Sequence, residues 1–187
     1  MATPEQAKQF IADVAPMAHQ FFCDHKISAA LIIAQGILES GYGQYAPGNN
    51  LFGIKADASW HGAVISEQTK EYTNGQWKTV TATFRAYPSK GESLVDHGKF
   101  LLENSRYHNL IGATWQQAVE LIHQDGYATD PTYTQQLRAL ITQWDLEQYD
   151  VANRFEVTVQ AFSNEESAGK VCEAIKLLGY HAEVKTL

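Results

Sequence analysis

Residues 27–55 read ISAALIIAQGILESGYGQYAPGNNLFGIK, an apolar helical run that ends on a carboxylate and passes directly into an aromatic, glycine-rich loop. Ala30, Leu31, Ala34, Ile37 and Leu38 recur at helical spacing and predict a buried stripe. Ser28 is placed to cap the start, and Gly41 to end the helix in a left-handed turn. Glu39 therefore falls in the last turn, where the negative end of the helix dipole and nearby apolar surface both oppose its ionisation. A carboxyl group that keeps its proton near neutral pH can hand that proton to a leaving oxygen. Gly41 to Ser59 then carries Pro47 and Asn49-Asn50 among its glycines and reads as a loop shaped for a ligand.

Working toward the N-terminus, Thr3-Pro4-Glu5-Gln6 predicts a helix start with a capping box. The helix runs toward Asp24 with Phe10, Ile11, Val14, Ala18, Phe21 and Phe22 inward. Pro16 is expected to kink or split it. Working toward the C-terminus, the period changes to two between Ala63 and Tyr87, with Asn74-Gly75 as the hairpin turn. That register sets Thr73 opposite Gln76, Tyr72 opposite Trp77 and Glu71 opposite Lys78. Ser89 to Glu92 reads as a capping box opening a helix through Leu102, Thr114 opens the next, and Gly126 stops it. Asp130-Pro131 is expected to cap and start a helix to about Leu146.

The 187-residue chain carries a formal charge of -7, which argues against nucleic acid or an anionic membrane as partner. The segment MATPEQAKQF has no basic stretch followed by an apolar core, so neither a signal peptide nor a membrane helix is expected. Release through membrane holes made by a separate protein fits such a start, and a mature form fits it equally. His19, His25, His61, His97, His108, His123 and His181 are scattered, without the spacing of metal ligands, and no cofactor is expected. Cys23 and Cys172 lie in apolar helical patterns and read as buried small hydrophobes before they read as a disulfide.

The blocks ILESGYGQYAPGNNLFGIKA, KEYTNGQW, TATFRAYPSKGESLVDH and DGYATDPTYTQQL occur in this order across about residues 5–146. Together they resemble the glucosaminidase family of peptidoglycan hydrolases, glycoside hydrolase family 73. The resemblance implies an α+β fold, a mostly helical lysozyme-like domain with a β-hairpin lobe over residues 1–149. It also implies that Glu39 is the general acid, that Glu71 is the second acidic position, as base or as stabiliser of the oxocarbenium ion, and that Tyr127 stands in the cleft. Sugar polymers are held by aromatic platforms with amide and carboxylate partners, and Tyr42, Asn50, Phe52, Trp60, Tyr72 and Asp130 supply those types. Phe52 is expected to present its ring to ligand. The implied activity is cleavage of the β-1,4 glycan strand of peptidoglycan at the bacterial cell wall, as an endo-β-N-acetylglucosaminidase. An N-acetylmuramidase and a wall-binding module without catalysis stay open beside it.

Residues 150–187 form a separate pattern: a strand (Phe155, Val157, Val159, Ala161), a helix capped at Ser163 and a strand from Tyr180 to Lys185. This β-α-β unit resembles half of a sporulation-related repeat domain. So small an apolar unit needs cover. The unit reads as a cell-wall-binding or dimerisation module, with a homodimer through residues 154–187 as one expected form and packing of the tail onto the main domain as the alternative.

Overall fold

The structure, a computed structural model, describes residues 2–73, 75–151 and 169–173, and the side chains of residues 70–73 lie outside that description. The chain divides into two compact units, Met1–Ala152 and Asn153–Leu187. The expected strands and dimer contacts after residue 154 lie outside the described residues.

In the first unit, α1 (Pro4–His25) starts as the sequence predicts, with Thr3 accepting from the Gln6 amide and the Gln6 side chain returning to Thr3. It is a single helix, which corrects the expected split at Pro16. Pro16 and Ala12, whose carbonyl loses its intrahelical donor, both lie on the exposed face, where water can satisfy that oxygen. Ala7, Phe10, Ile11, Val14, Ala15, Ala18 and Phe21 form its buried stripe.

The second helix, α2 (Ala29–Ser40), is buried on every side from Ala29 to Ile37, so it is the centre of the unit rather than a surface helix. Ser28 caps it by accepting from the Leu31 amide, and Gly41 closes it at φ 56°. Around it pack α1, α3 (Lys90–Glu103), α4 (Trp115–Gln124), α5 (Tyr133–Gln143) and the 3-10 turn Leu146–Asp150.

Three helix starts and ends differ in detail from the sequence reading. Ser89 caps α3 through the Glu92 amide alone, without the reciprocal bond of a capping box. Thr114 and Gln117 do form a box at α4. Asp130 and Pro131 form a turn ahead of α5, because the Asp130 carboxylate accepts from the Thr132 amide and hydroxyl and the chain becomes helical only at Tyr133. That helix ends at Gln143, with Asp145 in the left-handed region at φ 52°.

The hairpin is β1 (Val64–Thr73) against β2 (Gln76–Arg85), antiparallel, with Glu71 opposite Lys78 and Tyr72 opposite Trp77 as the sequence predicts. The loop after α2 joins its base: Arg85 N donates to Ile54 O, Ala56 N to Thr83 O, and Lys55 bridges Phe84. Arg85 reaches across to Asp96 of α3 at 2.9 Å, and Tyr87 donates to the same carboxylate at 2.8 Å. The hairpin lobe is thus tied to the helical body at one end. Both cysteines are free thiols, Cys172 buried and Cys23 half-buried. No helix among the described residues is long and apolar enough to cross a membrane.

Candidate active site

At the C-terminal end of α2, Glu39 opens into a groove of about 560 Å³ shared with Tyr127, Thr129, Asp130, Tyr133 and Gln136. Glu39 keeps part of its surface in solvent, yet the groove walls withdraw enough water from its carboxyl to raise its pKa above the ordinary carboxylate range. A bond from the Tyr133 hydroxyl to Oε1, 3.5 Å long, pulls the other way. Desolvation is the larger of the two effects. A carboxyl held in this manner keeps its proton to higher pH than a free carboxylate does and can deliver it into the groove.

Tyr127 follows Gly126, which sits at φ 76° where a side chain would be strained. The turn brings the Tyr127 ring onto Tyr133 (5.9 Å between centroids), Tyr107 (6.2 Å) and His97 (5.5 Å). Burial first, and then the neighbouring Tyr133 and Glu39 oxygens, push its phenol pKa far up, so the hydroxyl stays protonated. Asp130 lines the same groove. The Thr132 amide, then the Thr132 hydroxyl, lower its pKa and keep it ionised, and its second oxygen accepts from Gln136.

The remaining sequence candidates are dispersed. Asn50 is buried, and its side chain donates to the Ile54 and Arg85 carbonyls and accepts from the Ile54 amide. It clamps the loop to the hairpin base, with both amide hydrogens spent on backbone carbonyls. Phe52 does not present a free ring: it is stacked on His97 at 3.9 Å and packed against the core. Tyr42 takes a left-handed conformation at φ 61°, and its hydroxyl accepts from Trp144. Trp60 lies at the hairpin base, under the Arg85 guanidinium and against Tyr87. The backbone of Glu71 and Tyr72 is in β1, and their side chains lie outside the described residues.

The sequence reading missed Tyr133, Gln35 and His97. Tyr133 is buried, and its oxygen accepts from Gln35 Nε2 at 3.0 Å. Gln35 Oε1 in turn meets His97 Nε2 at 3.2 Å. A signal was present: Gln35 stands one helical turn before Glu39 and is the polar exception within an apolar helix. Among the described residues no group of three or more His, Cys, Asp or Glu side chains gathers as a metal site.

Residues 15–146 match the family described as mannosyl-glycoprotein endo-beta-N-acetylglucosaminidase. The chain belongs to the glucosaminidase family. It is 39% identical over 145 residues to the peptidoglycan hydrolase FlgJ of Salmonella typhimurium, covering 73% of this chain and 46% of that protein. It is 30% identical over 158 residues to the exo-glucosaminidase LytG of Bacillus subtilis, covering 80% and 55%. The crystal structure of the catalytic domain of the autolysin Auto from Listeria monocytogenes is similar at a TM-score of 0.69 and 34% identity, over 80% of this chain and 90% of that one. The chain thus spans about half the length of the curated relatives it matches. The glucosaminidase likeness carries the expected α+β, lysozyme-like fold with it.

Proposed function

We propose that this protein cleaves the β-1,4 glycan strand of peptidoglycan as an endo-β-N-acetylglucosaminidase, with Glu39 as general acid. One observation carries the assignment: in a glucosaminidase chain, the groove holds a partly desolvated carboxyl whose pKa is raised. Protonated Glu39 gives its proton to the glycosidic oxygen as the C1–O bond breaks, and positive charge develops on the sugar ring. The ionised Asp130 and the protonated Tyr127 hydroxyl share the groove. Tyr127 is suited to hydrogen-bond the acetamido group or to orient water. Glu71 is the second carboxyl in this reading, as base or as stabiliser of the oxocarbenium ion. The endo-beta-N-acetylglucosaminidase description of the matched family supports cleavage within a strand, and the named activity of FlgJ, a peptidoglycan hydrolase, supports action at the bacterial wall.

The test is clearing of purified cell walls, followed by mass spectrometry of the released reducing ends. Reducing N-acetylglucosamine supports the proposal, reducing N-acetylmuramic acid replaces it with a muramidase, and wall binding without clearing replaces it with a binding module. Glu39→Gln keeps shape and hydrogen bonding but has no proton to donate, so it is expected to lose about 10²–10⁴-fold in rate with folding intact. Lysis at the normal rate by that variant removes Glu39 from the role.

A further inference from the structure

The polar groups behind Glu39 form a chain whose direction is set by its chemistry. The Gln35 amide nitrogen only donates, so the Tyr133 oxygen accepts from it and the Tyr133 hydrogen is directed to Oε1 of Glu39, whether that carboxyl is ionised or carries its proton on Oε2. The Gln35 carbonyl then receives a hydrogen from His97 Nε2. His97 is fully enclosed, which keeps its imidazole neutral with a single N–H, the one the chain uses. Gln35, Tyr133 and His97 come from α2, α5 and α3, and none of the three has room to turn away: all are buried.

We propose that Tyr133, locked by Gln35 and His97, is a positioning residue that holds Oε1 of Glu39 and leaves Oε2 to carry the transferable proton. The inference rests on the reading of Glu39 as the acid. A hydroxyl free to rotate could donate to either oxygen or to neither, and the acid proton would then be shared between two sites. With the Tyr133 oxygen already accepting from Gln35, its hydrogen has one direction. The chain does not conduct protons, because an amide sits in its middle and neither gains nor loses one under these conditions. Its effect is geometric. It also favours the ionised form of Glu39, against the larger desolvation. Among the described residues, the other ionisable groups that share the groove with Glu39 are Tyr127, from the turn after α4, and Asp130, ahead of α5. Gln35 behind it on α2 is neutral.

Tyr133→Phe removes the hydroxyl and keeps the ring. Losing one hydrogen bond to an ionised group is expected to move the alkaline limb of the pH–rate profile up by about one unit. At the optimum, kcat is expected to fall about ten-fold or more with KM little changed, since a misplaced proton donor slows chemistry rather than binding. A carbon-13 titration of the Glu39 carboxyl reads the same shift without turnover. Gln35→Met, close to isosteric, is expected to give a smaller kcat loss of the same kind and no further effect in the Tyr133→Phe background. If the Glu39 titration and the alkaline limb stay in place in Tyr133→Phe, or if the Gln35 and Tyr133 effects simply add, the positioning role is overturned. An active Glu39→Gln enzyme would instead overturn the acid assignment itself, and the carbon-13 titration separates the two failures.

Discussion

His97 lies 1% exposed beneath Phe52, and burial pushes its imidazole pKa from 6.5 down to about 3. A histidine depressed in the folded state binds its proton first in the unfolded chain. Stability is therefore unaffected by this group above about pH 6.5 and falls as pH drops from there toward 3, by about 1.4 kcal/mol per unit. The urea midpoint is expected to fall between pH 7 and pH 5, and His97→Gln, which has no proton to gain, should flatten that slope. An equal slope in the variant would assign the pH dependence to other groups. The place of Glu39 in the last turn of α2 was readable from the sequence because a local helix pattern and a distinctive block both point at it. Tyr133 was not, since its contact with Glu39 arises only when α5 packs on α2, ninety-four positions apart in the chain. Phe52 misled for the opposite reason: its glycine-rich surroundings suggest an open ring, and only the fold shows His97 stacked upon it.

At the scale of elements, α2 holds the carboxyl in place and is itself anchored from a distance. It has no acidic residue in its own first turn. Asp150, in the 3-10 turn after α5, supplies the acceptors: Oδ2 takes the Ser28 hydroxyl at 2.6 Å and Oδ1 the Ala30 amide at 3.1 Å. Desolvation nevertheless raises the Asp150 pKa in spite of these bonds. The stabilisation therefore comes from the satisfied donors and not from the charge. Asp150→Ala, leaving an amide and a hydroxyl without partners, is expected to lose about 1–2 kcal/mol, and Asp150→Asn to lose clearly less. Urea denaturation of the two variants checks this; equal losses would show that the charge matters after all. The local caps at Thr3, Ser28 and Thr114 were legible because a cap is written within four residues. Asp150, like the Asn50 clamp, acts across more than thirty positions and leaves no periodic trace.

Over the whole molecule, the core runs from Phe10 to Leu146, within the first unit. That unit also contains residues 15–146, the stretch that matches the glucosaminidase family. A chain ending at Ala152 is therefore expected to fold and to cleave soluble glycan strands at the full-length rate. The rest of the sequence poses a different problem. Residues 153–187 make up the second unit, and Cys172 within it is a free thiol. Val157, Val159, Val171, Ile175, Leu178 and Val184 give that stretch the composition of a packed unit. We propose that a second copy of the same stretch covers it, because a two-fold pairing meets the need of both chains at once. Light scattering is expected to find a dimer for the full chain and a monomer for the chain ending at Ala152. A full-length monomer would remove the dimer and turn attention to contacts between the tail and its own catalytic unit.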